Sequence, residues 1–144
     1  MIDNRLKVKG EKEMGERKKI KSFEDLEVYQ KFFDLHLEIS EISLFFPKHE
    51  LYELGSQIRR SSNSIPANLA EGWNNKHINI YLEGINRAFG EYQETVHHLH
   101  VAYRKGYINK QTYLKFRQRY EECAKMLRGL ESALRRWKAS EGER

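Results

Sequence analysis

The stretch INIYLEGINRAFGEYQETVHHLHVAY, residues 78–103, places Ile78, Leu82, Ile85, Phe89, Tyr92, Val96, Leu99 and Tyr103 at spacings of 4, 3, 4, 3, 4, 3 and 4. An α-helix turns once in about 3.6 residues, so this pattern gathers all eight side chains into one apolar stripe. Downstream the same beat returns. Tyr113, Phe116, Tyr120, Cys123, Leu127, Leu130, Leu134 and Trp137 follow one another at 3, 4, 3, 4, 3, 4 and 3. Between the stripes, Gly106 suits a helix end, and Arg104 and Lys105 suit the negative pole of the helix dipole. Two long heptad stripes joined by a short loop pack as antiparallel neighbours at a small crossing angle.

Upstream, the helix of the 78–103 stripe is expected to start near Asn75, a good cap residue. A second helix is predicted over 49–73, with Leu51, Leu54, Ile58, Ile65 and Leu69 inward. Pro66 lies inside it and predicts a kink or a restart, with the hydroxyls of the Ser61–Ser64 run bonding the carbonyls the proline frees. The first helix opens at Ser22, whose pairing with Asp25 is a capping-box pattern. Its predicted stripe is Leu26, Tyr29, Phe33, His36, Ile39 and Ile42, and Pro47 stops it. No segment alternates with a period of two. The expectation is an all-α, up-down-up-down four-helix bundle over 22–139, with a disordered charged arm at 1–21 and a flexible end at 140–144. Met14 is a possible alternative start.

Two adjacent pairs, Phe32–Phe33 and Phe45–Phe46, exceed what one seam can bury, since helical neighbours point about 100° apart. Trp73, Tyr81 and Tyr107 also fall off the stripes. These leftovers predict a second, intermolecular seam.

No run approaches the ~18 apolar residues of a membrane span, and the N-terminus has no signal-peptide core. Cys123 has no second cysteine to pair with, which fits the cytoplasm. Phosphate loops, GxSxG, HExxH and CxxC are absent, and no cofactor is implied. Glu94, His97, His98 and His100 sketch a metal site, but they read better as residues bordering the stripe. Carboxylate pairs such as Glu121–Glu122 read as surface, and Cys123 as a small core hydrophobe. The expectation is a protein without catalysis.

Charge carries the functional signal. Residues 22–103 hold six Lys/Arg against twelve Asp/Glu, whereas 104–138 hold eleven against three. A segregated basic surface attracts phosphate backbones or acidic partners. Arg104, Lys105, Lys115, Arg117, Arg119, Lys125, Arg128, Arg135 and Lys138 are candidate nucleic-acid contacts, with Arg59 and Arg60 beside the serine run as a second group.

The run SQIRRSSNSIPANLAEG, residues 56–72, resembles the signature of the four-helix bundle proteins encoded by intervening sequences in bacterial 23S ribosomal RNA genes. Phe23-Glu24-Asp25-Leu26-Glu27-Val28-Tyr29 looks like that family's first helix, and Phe46-Pro47, Ala88-Phe89-Gly90-Glu91 and Gly106-Tyr107-Ile108 fall at matching places. Glu53 and Trp73-Asn74-Asn75 depart from the pattern. The resemblance implies a homopentameric ring of bundles, similar in fold to the accessory variability protein of diversity-generating retroelements. The expected function is a ring that binds RNA or DNA with little sequence preference. The alternative is an adaptor docking a nucleic-acid-handling enzyme such as a reverse transcriptase.

Overall fold

In the computed structural model, which describes residues 19–142, Ser22 opens a 3-10 turn at Phe23–Asp25. The Ser22 side chain accepts from the Glu24 amide, and the Asp25 carboxylate accepts from the amides of Ser22 (3.1 Å) and Lys21 (2.8 Å). The capping box of the sequence is therefore present, but it caps a single turn. The chain extends at Leu26 before α1 begins. Most of the charged arm lies outside the described residues. Its last part does not: Ile20 is buried in the core.

Four helices follow: α1 (Glu27–Ser43), α2 (Leu54–Gly72), α3 (Ile78–Arg104) and α4 (Lys110–Gly142). Each packs on its chain neighbours and α4 closes back on α1, while the diagonal pairs do not approach. This is the four-helix arrangement that short connections impose. No strand occurs among the described residues. α4 continues to Gly142, past the expected boundary at 139, and residues 138–141 are exposed.

The α4 stripe packs inward, with Tyr113, Phe116, Tyr120, Cys123, Leu127, Leu130 and Leu134 all buried. On α3 only Leu82, Ile85 and Leu99 of the expected stripe are fully buried, and Tyr81, Ala88, Thr95, His98 and Ala102 are buried beside it. Tyr120 lies at the centre, its ring 6.1 Å from both Phe32 and Tyr92. α1 differs from the expected stripe. Its buried face is Val28, Phe32, Leu35 and Ile39, so Tyr29 and His36 move to the boundary and Phe33 points outward. Either neighbour of each Phe pair satisfied the periodicity. The buried choice is Phe32 in one and Phe46 in the other, leaving Phe33 and Phe45 in solvent. Tyr81, expected at a second seam, is buried within the bundle, and Trp73 and Tyr107 pack against its core.

The α2–α3 crossing is the tightest contact, built on small residues. A Cβ on Gly84 would lie 2.8 Å from the Asn68 carbonyl, so only glycine permits this approach. Farther along, the Thr95 hydroxyl donates to Ser61 Oγ at 2.8 Å, and His36 Nδ1 lies 2.8 Å from Ser62 Oγ. α2 is helical without interruption across Pro66. The expected restart is absent. The hydroxyls of Ser61, Ser62 and Ser64 bond the carbonyls of Ile58, Arg59 and Arg60, upstream of the Ser62 carbonyl that Pro66 leaves without its amide.

One end of the bundle carries both the α1–α2 and α3–α4 connections. Gly106, at φ 79, ends α3 in a Schellman motif: its amide donates to the Tyr103 carbonyl and that of Tyr107 to the Ala102 carbonyl. A 3-10 turn at Lys48–Glu50 lies alongside. Buried Glu50 accepts from Lys105 Nζ at 2.9 Å and from the Tyr107 hydroxyl at 2.7 Å, tying the two connections together. These two donors hold its carboxyl below the usual range.

Candidate nucleic-acid interface

At about 100° per residue, the cations of α4 fall into two ribs. Arg117, Arg128 and Arg135 share one flank. The Arg128 guanidinium lies 5.7 Å above the Phe89 ring, so this rib borders α3. Lys115 and Arg119 share the opposite flank, where Arg119 forks onto Glu38 of α1 (Nη1 to Oε1 2.8 Å, with Nη2 on Oε2). That contact lowers the Glu38 carboxyl and raises Arg119. Lys125 and Arg136 stand exposed on the crest between the ribs.

The candidate cations divide by what else they hold. Arg59 is not available to a ligand: its guanidinium donates to Ser43 Oγ at 2.8 Å and to the Leu51 carbonyl at 2.7 Å, bracing α1 and the loop. Its neighbour Arg60 is exposed, 3.6 Å from Glu94. Lys105 serves Glu50, and Lys138 donates to Asn79 Oδ1 at 2.7 Å. Arg117 donates to the Tyr113 hydroxyl at 2.7 Å and sits 3.7 Å from Glu121, while Arg135 sits 3.3 Å from Glu131. Arg104, Lys115, Lys125 and Arg128 make no ion pair within 4 Å among the described residues. The same holds for Lys110 and Arg136, which the charge pattern alone did not single out although they lie on the same helix. Two positively charged flanks with a crest of Lys125 and Arg136 can follow a phosphate backbone, but nothing here specifies a base.

The α3 histidines separate. His98 is buried with Nε2 facing Glu94 at 3.6 Å, and burial lowers its pKa. His97 and His100 are exposed. No cluster of three metal-ligating residues forms among the described residues. Among the described residues no helix is long and apolar enough to cross a membrane.

The family described as 23S rRNA-intervening sequence protein matches residues 24–129. The chain belongs to that family. A comparison with curated proteins gives no match. Among solved structures, this 23S rRNA-intervening sequence protein is similar to a protein of unknown function from the S23 ribosomal protein family of Bacteroides thetaiotaomicron. The TM-score is 0.67 at 24% identity, over 73% of this chain and 95% of that one. That likeness concerns the fold. The match begins within the capped first turn and ends on α4 beyond Arg128, so it takes in most of both cationic ribs.

Proposed function

We propose that this 23S rRNA-intervening sequence protein is a non-catalytic, ring-forming protein that binds RNA or DNA through the phosphate backbone. The observation that carries the reading is the unpaired set Lys115, Lys125, Arg128 and Arg136, spread around the solvent side of α4. Lysine and arginine on phosphate give affinity without sequence readout. The ring, five bundles in the family resemblance, repeats the surface so that weak contacts add. Its seam in this reading is the outer face of α1, where Phe33, Leu37 and Leu44 stay exposed along one line against a second copy. The same line supports a second reading, in which α1 docks a nucleic-acid-handling enzyme and α4 steers it.

Binding to mixed-sequence RNA and DNA as a function of salt tests the proposal. A steep fall of log affinity against log salt is expected. Exchanging Lys115, Lys125, Arg128 and Arg136 for glutamine flattens the slope by up to ~0.9 for each duplex phosphate that is no longer neutralised. Binding absent at low salt removes the reading and leaves the docking one. A monomeric mass of 17.2 kDa at micromolar concentration removes the ring.

A further inference from the structure

Seven large apolar side chains are exposed among the described residues, and four of them, Leu44, Phe45, Tyr52 and Leu114, gather at the end that carries the α1–α2 and α3–α4 connections. Phe45 is 87% exposed and Tyr52 83%, far more than an interior or boundary ring. Both flank the Lys48–Glu50 turn, which Glu50 locks to Lys105 and Tyr107. The rings are thus presented from a braced loop. The neighbouring cations point the same way. Lys48, Arg104 and Lys110 surround this end without an ion pair among the described residues, and His49 is exposed beside them. The exposed carboxylates near these rings are Glu53, after the turn, and Glu41, one helical turn before Phe45, since Glu50 is taken.

Exposed rings set among lysine and arginine are what unpaired nucleotides need: a π-face for the base and positive charge for the phosphate. A duplex hides its base faces and gains nothing from such rings. We infer that the connection end of the bundle is a single-strand-binding platform, on which Phe45 and Tyr52 stack unpaired bases while Lys48, Arg104 and Lys110 hold the adjoining phosphates. This rests on the nucleic-acid reading above and adds to it a preference for unpaired strands, held at the connection end where Lys110 begins α4.

The test compares a polyuridine strand with a duplex RNA of the same length, by fluorescence anisotropy at one low salt concentration. The full-length protein is measured beside a Phe45→Ala/Tyr52→Ala double variant, with the mass of each measured in parallel. Because both rings are exposed, the variant folds. It is expected to lose about tenfold or more on polyuridine, while duplex binding changes less than about twofold. Equal losses on both ligands, or none on either, overturn the platform and leave the phosphate reading standing. Wild type that binds neither ligand overturns both. A change of oligomeric mass in the double variant shows that the rings cover a second copy, which also overturns the platform.

Discussion

Arg59 and Arg60 are adjacent in sequence and opposite in role. Helical geometry sends one toward the α1–loop junction and the other toward solvent. The choice lies in what each meets, Ser43 Oγ and the Leu51 carbonyl for Arg59, Glu94 for Arg60. Sequence reasoning assigned the pair one role because a stretch of polar residues does not say which side of the helix is covered. Phe32 and Phe33 pose the same problem. Phe32→Ala should cost about 3–5 kcal/mol, as for a large core ring, and Phe33→Ala less than about 1 kcal/mol in the isolated subunit. Urea midpoints of the two variants check this. Equal costs would mean that α1 is rotated from the face seen here.

Among the elements, α3 and α4 were the most legible. Eight regularly spaced apolar residues per helix leave little freedom of register, and Gly106 announces its own turn. α2 was less so. Pro66 argues locally for a break, yet packing on α1 and α3 carries the helix through it. The close α2–α3 approach had no sequence signal beyond two glycines that single-sequence reading treats as loose punctuation. Gly84→Ala should separate the two helices or strain them, at roughly 1–3 kcal/mol. Its thermal midpoint should fall, whereas Gly90→Ala, whose Cβ would meet nothing within 4 Å, should hold or rise. Similar behaviour of the two variants would contradict the crossing described here. The cationic ribs were half legible: the charge excess is plain in the sequence, but its division between ligand-facing and internally paired groups depends on Glu38, Glu50, Glu121 and Glu131.

For the whole molecule, acid is the condition that tests the polar ties between helices. Glu50 and Glu38 are held below the ordinary carboxyl range by their donors. A depressed carboxyl stabilises the fold above its unfolded value and loses that contribution as pH falls through its folded value. His36 and His98 are lowered by burial, so they begin to cost stability below about pH 6.5, where the unfolded chain takes the proton first. Glu91, raised by burial, works in the opposite sense. Stability should therefore fall in two stages on acidification, histidines first and carboxylates after. Glu50→Gln should reduce the second stage and leave the first. Urea midpoints measured across the acid range report both, and an unchanged second stage would remove Glu50 from the account.

Cys123 sits buried on the α1–α4 seam, where it lines a groove of about 150 Å³ with Lys31, Asp34, Leu35, Arg119 and Glu122. Burial pushes its thiol up to about 11, so in the native fold it is not ionised at neutral pH. With the thiol un-ionised and the residue only 3% exposed, alkylation is expected to run fastest during excursions that part α1 from α4. With no second thiol in the chain to compete, the pace of alkylation becomes a direct gauge of how often that seam breathes. A partner that clamps the two helices together would slow it, and one that acts elsewhere would leave it alone.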